Sequence, residues 1–210
     1  MSINAPESQF GFSFDQKRCT GCRTCVIACK DYHDLGPGIM FRTVHEYAAG
    51  AWRLNEEGAW EQDVTAFYVS LSCSHCANPV CLRICTAGAV LKDARGFVTI
   101  DHEACTGCQL CAVACPYHAP RFDEASGRVE KCDGCSARIA QGRAPVCVEA
   151  CPQHALGFGL YDDLSAGPRV VERIAAMPDP VITQPNYAIE PSEAVRGVGL
   201  DEELMNPREV

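Results

Sequence analysis

The chain has 210 residues, enough for one sizeable core or two small ones, and sets 18 Lys and Arg against 27 Asp and Glu for a formal net charge of −9. Acidic and basic residues are interspersed without a basic tract, which argues against nucleic acid as a partner, and no apolar run approaches the roughly 18 residues that span a bilayer. The outlier is cysteine: sixteen residues, about 8% of the chain, a density otherwise met in short secreted disulfide scaffolds.

The opening "MSINAPESQFGFSFDQKR" has no basic stretch followed by an apolar one and no twin-arginine pair. The chain is therefore expected to fold where thiols stay reduced and dense cysteine means metal. Group one follows at once: Cys19, Cys22, Cys25 and Cys29, spaced C-x2-C-x2-C-x3-C, with Lys30 behind it. Residues 37–72 form an aromatic insert, read as a β-hairpin that turns at Asn55-Glu56-Glu57-Gly58 and covers the cysteine sites, with Trp52, Trp60, Phe67 and Tyr68 packing. Group two is Cys73, Cys76, Cys81 and Cys85 (C-x2-C-x4-C-x3-C). The stretch "GAVLKDARGFVTI" then alternates and turns at Ala94-Arg95-Gly96. Group three, Cys105, Cys108, Cys111 and Cys115, repeats the spacing of group one and its Thr-Gly pair. Group four is Cys132, Cys135, Cys147 and Cys151 (C-x2-C-x11-C-x3-C), and "CPQHALGFG" behind it resembles "CTAGAVLKD" behind group two. From residue 161 onward there is no cysteine and much proline. This part, 161–210, is expected to be an extended tail with one short helix near "LSAGPRVVERIAAM", docking on a partner subunit.

The sixteen cysteines thus fall into four groups of four with none left over, each ending in C-x3-C. Three thiols at two-residue steps can wrap one iron–sulfur cubane, while the fourth, expected to open a helix, faces away and serves the other cluster of a pair. A fourfold pattern implies two paired ferredoxin-like modules with four [4Fe–4S] clusters. The simplest assembly is nested: an α+β chain in which residues 1–36 plus 120–160 carry groups one and four, and residues 73–119 carry groups two and three. Structural zinc uses two separated C-x2-C pairs and has no use for a third cysteine at the next step, so groups one and three break that pattern. Disulfides between such close thiols would be strained.

The remaining residues read as ordinary. His75, inside group two, is expected to be an outward imidazole. His118 and His154 follow the last cysteines of groups three and four, in reach of cluster sulfur, and Lys30, Arg83, Lys131 and Arg138 are expected to be solvated charges beside cysteines. No nucleophile elbow, phosphate loop or dinucleotide fingerprint occurs. The chain is expected to have no active site of its own and to hold cofactors that move single electrons.

The spacings, together with "CTGCRTCVIACKDYHDLGPGIMFR", "EYAAGAW", "CPYHAPRF", "KCDGC", "CVEACPQHAL" and "NPREV", resemble the four-cluster electron-transfer subunits of the molybdopterin oxidoreductases. Within that family they resemble the iron–sulfur (beta) subunits of membrane-bound dimethyl sulfoxide reductase type along nearly the whole chain. The resemblance implies that Cys19, Cys22 and Cys25 share a cluster with Cys151; Cys132, Cys135 and Cys147 with Cys29; Cys73, Cys76 and Cys81 with Cys115; and Cys105, Cys108 and Cys111 with Cys85. Relatives with tryptophan at the position of Cys108 carry a [3Fe–4S] cluster, so four cubanes are implied here. It further implies a heterotrimer: a molybdopterin catalytic subunit reducing dimethyl sulfoxide or related S- and N-oxides, and a membrane anchor oxidising menaquinol. This chain would be the peripheral subunit of that complex at the cytoplasmic membrane, on the side set by the catalytic subunit's leader. The same cysteine pattern serves polysulfide, thiosulfate and other molybdenum enzymes, which are the alternative, together with a free polyferredoxin.

Overall fold

The computed structural model describes residues 9–174, 177–193 and 203–210. Phe10, Phe12 and Phe14 recur at every second residue of β1 (Phe10–Asp15), and a period of two places them on one side of a strand. Phe12 and Phe14 are buried. β1 is the central strand of three: it runs antiparallel to β10 (Leu156–Leu160), with Phe12 opposite Phe158, and parallel to β11 (Tyr187–Glu190), with Phe12 opposite Tyr187.

A second sheet carries the aromatic insert. β2 (Arg42–Ala49) and β5 (Thr65–Ser72) pair antiparallel from Arg42 opposite Ser72 to Ala49 opposite Thr65, and β12 (Glu203–Leu204) adds to β2 at Ala48 and Tyr47. The ribbon continues as the hairpin β3 (Trp52–Leu54) and β4 (Trp60–Gln62). In its turn the Asn55 side-chain oxygen accepts from the backbone N–H of Glu57 and Ala59, so the amide replaces a backbone partner. Val44, Phe67 and Val69, at the base, are buried in one core with Phe12, Phe14, Leu156, Tyr187 and Ile189. Trp52 and Trp60, at the tip, are 63% and 66% exposed. The expectation that they pack over the cysteine sites is corrected: a two-stranded tip has no second layer to bury them.

Short helices punctuate this frame at the cysteine groups. In α1 (Thr24–Tyr32), α2 (Val80–Ile84), α3 (Leu110–Ala114) and α5 (Val146–Glu149) the second residue is the third cysteine of a group: Cys25, Cys81, Cys111 and Cys147. The fourth cysteine therefore does not open a helix. It lies about one turn later, inside α1 as Cys29, capping α2 and α3 as Cys85 and Cys115, and beyond α5 as Cys151. Pro116 and Pro152 cannot continue a helix. Behind them His118 and His154 take left-handed backbones (φ 49 for both), each donating its N–H to the carbonyl of the preceding fourth cysteine at 3.1 Å. Group one has Lys30 where the others turn, so α1 runs on for another turn, and the Lys30 ammonium ties the carbonyls of Gly36 (2.6 Å) and Ile39 (3.1 Å) to it.

Two small hairpins, β6 (Val90–Lys92) with β7 (Val98–Ile100) and β8 (Arg121–Asp123) with β9 (Arg128–Glu130), lie beside α2 and α3, and α4 (Ser136–Ala140) follows the first pair of group four. Phe97, at the foot of β7, stacks on Phe10 and on Phe158, centroids 5.9 and 6.1 Å apart. One ring thus joins the β6–β7 unit to the first sheet.

The segment after residue 160 departs from the expected extended tail. Its helix is α6 (Tyr161–Ser165), which ends before Gly167-Pro168; Val171 then bridges to Ile189, and a 3-10 turn spans Pro180–Ile182. Ile174, Met177, Tyr187 and Ile189 are buried in the main core, so this stretch completes the first sheet. Residues 1–8 of the first expected module, and 175–176 and 194–202 of the expected tail, lie outside the described residues. The fold is mixed α and β, and no helix among the described residues is long and apolar enough to cross a membrane.

Candidate metal centres

None of the sixteen cysteines is in a disulfide, and the fold gathers their thiols into four sets. In set A, Cys19, Cys22, Cys25 and Cys151 line one recess of about 330 Å3 together with Thr20, Val44, Ser70 and Gln153. In set C, Cys73, Cys76, Cys81 and Cys115 line another of about 370 Å3, closed by Tyr117, Lys131 and Thr183. In set D, Cys85, Cys105, Cys108 and Cys111 line a third of about 330 Å3. Set B is Cys29, Cys132, Cys135 and Cys147, all four buried: Cys29 and Cys132 share one core cluster with Val146 packed against it, and Cys147 acts electrostatically on the other three. Each set takes three thiols from one group and the last thiol of another. Packing of α1 against α5 and of α2 against α3 brings these groups together.

Local backbone shape makes the crossings possible. Gly21, between Cys19 and Cys22, has φ +69 and lies under the Tyr68 ring, so a Cβ there would collide with it. Gly134, between Cys132 and Cys135, has φ +73 and lies against Phe97, with the His75 ring 3.5 Å from where a Cβ would stand. Both loops turn within a single residue, as two thiols aimed at one centre require.

Thiols so placed do not ionise by themselves. Burial pushes Cys29, Cys76 and Cys81 up to about 12 and Cys135 to about 11, and raises Cys19, Cys25, Cys111, Cys115 and, most strongly, Cys132. The exposed Cys22 moves the other way, held down by the Thr24 hydroxyl at 3.4 Å. A buried tetrad of thiolates needs a cationic core to balance it, and metal binding supplies one as it displaces the protons. Donors already face the sulfurs: the N–H of Gly134 to Cys132 at 3.4 Å, the N–H of Ala155 to Cys151 at 3.3 Å, and the Ser70 hydroxyl beside Cys25 at 3.7 Å. His75 adds an unspent donor. Its Nδ1 accepts from Val98 N–H at 2.9 Å, so the ring proton sits on Nε2, which is buried without a partner and faces the Gly134 loop of set B. The donor chemistry fits a four-thiolate iron–sulfur core.

Several residues differ from their sequence reading. His75 is 1% exposed and not outward; burial, then the charges of Lys131 and Lys92, hold its pKa well below the usual imidazole value, so it is neutral. Lys131 and Arg138 are buried, 6% and 5% exposed. Lys131 Nζ donates to Cys73 Sγ (3.5 Å), to the Cys132 carbonyl (2.8 Å) and to the Val98 carbonyl. Arg138 pairs with Glu149 and stands over the Tyr32 ring. Arg83 is exposed, and His118 and His154 are exposed turn formers.

Two residues escape sequence reasoning. His33 brings Nε2 to 3.6 Å from Cys135 Sγ and 3.7 Å from the Asp133 carboxylate, which makes it a flank of set B. Arg42 is buried at the start of β2; Nη1 donates to Ser70 Oγ at 3.0 Å and Nη2 to Ser72 Oγ at 2.8 Å. Burial opposes its charge, but the sulfurs of Cys147 and Cys25, once ionised, outweigh that and raise its pKa. In the sequence Arg42 is one of several polar residues of its strand, RTVHEYAA, and nothing there marks it as buried.

Residues 64–161 match the model of the 4Fe-4S dicluster domain, a span that contains groups two, three and four. The chain is 46% identical over 203 residues to the B subunit of the anaerobic dimethyl sulfoxide reductase of Haemophilus influenzae, covering 96% of this chain and 99% of that one. It is likewise 46% identical over 204 residues to the subunit of that name from Escherichia coli K12, covering 97% and 99%. The thiosulfate reductase electron transfer subunit of Salmonella typhi is 35% identical over 167 residues, 77% of this chain and 81% of that one.

Proposed function

The chain belongs to the family of iron–sulfur B subunits of anaerobic dimethyl sulfoxide reductase, and from that premise we propose that it holds four [4Fe–4S] clusters and relays electrons one at a time between two partner subunits. Sets A, B, C and D are the proposed ligand sets. Residues 1–36 plus 120–160 then form the module of sets A and B, and residues 73–119 the module of sets C and D. The insert 37–72 covers set A with its base, and the segment 161–210 offers its outer surface to a partner. The observation that supports this reading is the convergence of three cysteine tetrads on three recesses, each completed by a thiol from another group, with the remaining four cysteines all buried. Bound clusters supply one-electron redox chemistry. The chain's own residues set ligation, hydrogen bonds to sulfur and solvent access.

The proposed electron source is a membrane anchor that oxidises menaquinol, and the proposed sink is a molybdopterin catalytic subunit that reduces dimethyl sulfoxide or related S- and N-oxides. The three would form a heterotrimer at the cytoplasmic membrane, on the side set by the catalytic subunit's leader. The dimethyl sulfoxide reductase subunits align over nearly the whole chain and the thiosulfate reductase subunit over 77% of it, which favours the S-oxide partner.

Iron and acid-labile sulfide analysis with low-temperature EPR on the anaerobically purified complex tests the assignment. About sixteen irons and sixteen sulfides, with coupled S = 1/2 signals on dithionite reduction, are expected. About four zinc ions and no reducible signal would sink it.

A further inference from the structure

Two buried cations stand where successive thiol sets meet. Arg42 lies between sets A and B: its Nη1 donates at 3.0 Å to Ser70 Oγ, which lines set A 3.7 Å from Cys25 Sγ, and the sulfur that acts on it most is Cys147 of set B. Lys131 lies between sets B and C, bonded to Cys73 Sγ of set C and to the carbonyl of Cys132 of set B. Cys73 in turn is buried in one core cluster with Cys132, so sets B and C adjoin at this point.

Both side chains carry full charge. Arginine is always protonated in proteins. Lys131 Nζ meets three acceptors, Cys73 Sγ, the Val98 carbonyl and the Cys132 carbonyl, and only an ammonium has three N–H groups to give. Among the described residues neither cation is paired with a carboxylate. An uncompensated buried charge is costly and persists only beside something anionic. The groups that become anionic beside them are the cysteine sets, once metal binding displaces the thiol protons.

We propose that Arg42 and Lys131 are positioning residues of the electron relay, each a fixed positive charge shared by two successive sites: Arg42 by sets A and B, Lys131 by sets B and C. This inference rests on the ligand assignment proposed above. Gaining one electron adds one negative charge to a site, so a nearby fixed cation favours the reduced form and raises the potential. Set B is shared by both cations and set D by neither. The fixed charges would therefore hold the junctions of the relay at higher potential than burial alone allows.

Redox titration followed by EPR on the purified complex tests this, with wild type, Arg42→Met and Lys131→Met, after iron analysis of each. In each variant two of four midpoints should fall, with the equilibrium constant for reduction down about tenfold, or about 59 mV for a one-electron step. One cluster should fall in both variants and one in neither. Midpoints that stay put, move all together, or form two separate pairs overturn the inference while the ligand assignment stands. Should the methionine variants lose iron, Arg42→Gln and Lys131→Gln, which keep donors without charge, are titrated instead. Iron loss in those as well overturns the electrostatic role in favour of a structural one. A wild-type complex far below about sixteen irons brings down the ligand assignment and this inference with it.

Discussion

Sets B and D each join three thiols of one group to the last thiol of another, and they end in opposite environments. All four thiols of set B are buried, whereas in set D Cys108 is exposed and Cys85 and Cys105 are partly so. Groups one and three differ by few residues, yet α1 is covered by α5 and β2, and α3 is covered chiefly by α2. The motif therefore fixes how thiols converge, and the layer above it fixes what reaches them. Set A resembles set D in showing one exposed thiol, Cys22, at the same place in its C-T-G-C turn. On the proposed reading, sets A and D, each with one exposed thiol, would offer an edge to partners, and the more buried sets B and C would exchange electrons through them.

The largest expected effect breaks this contrast directly. Cys132→Ser removes a proposed ligand from the buried interior, where Cys132 packs with Cys29, Cys73, Ile39 and Phe41. Iron should fall by more than the about four atoms of one cluster, because set C shares that wall. Cys108→Ser, at the exposed rim, should cost at most about four irons and leave the other EPR signals in place. Equal losses from the two variants would show that burial does not rank the sites.

Next comes the ring that joins the two halves. Phe97 packs on Phe10, Phe158 and, edge-on, His75, and is 1% exposed. Phe97→Ala should destabilise by about 3–5 kcal/mol and lower the temperature at which iron is released from the complex. Phe122→Ala, in the hairpin beside set D and only partly buried, should lower it by about half as much or less. A reversed order would place the weak point at the rim and not at the junction.

Much of this contrast was legible in the residues and some of it was not. Spacing and the count of sixteen led to four groups, and the aromatic insert reads as paired strands with a turn at Asn55-Glu56-Glu57-Gly58, the residues between β3 and β4. Burial of charge was not legible. Lys131, Arg42 and His75 are polar residues in short local contexts, and what buries them is β7, β5 and the Gly134 loop, remote in sequence. The tail misled for a related reason. Proline-rich sequence without helical periodicity suggests extension, but Tyr187 and Ile189 find an open edge beside β1, created only when the two ends of the chain meet.

A smaller effect sharpens the comparison of groups one and three. Lys30 occupies the place of Pro116, and its ammonium holds the loop through Gly36 and Ile39, whose side chain at Ile39 closes the core around Cys29 and Cys132. Lys30→Ala should cost about 1–2 kcal/mol, less than a fully buried charged bond would. It should also make the set B signal decay faster in air while the set D signal keeps its rate. Parallel acceleration of both would mean that the loop does not serve as the local cover.

The smallest effect is expected at the hairpin tip. Register sets Leu54 opposite Trp60, and Trp52 lies two residues from Leu54, so alternation gathers all three on one face; each is at least 59% exposed. If that face shielded a cluster, replacing its tryptophans would cost iron. The geometry says otherwise, since it is Val44 and Ser70 at the base of the ribbon that line set A. Trp52→Ser with Trp60→Ser should leave iron content, EPR signals and iron-release temperature unchanged, within about 0.5 kcal/mol in stability. Val44→Ala, at the other end of the same ribbon, should destabilise by about 1–3 kcal/mol and hasten iron loss from set A first. Measured side by side, the two ends of one ribbon separate covering a cluster from merely lying on the same strands.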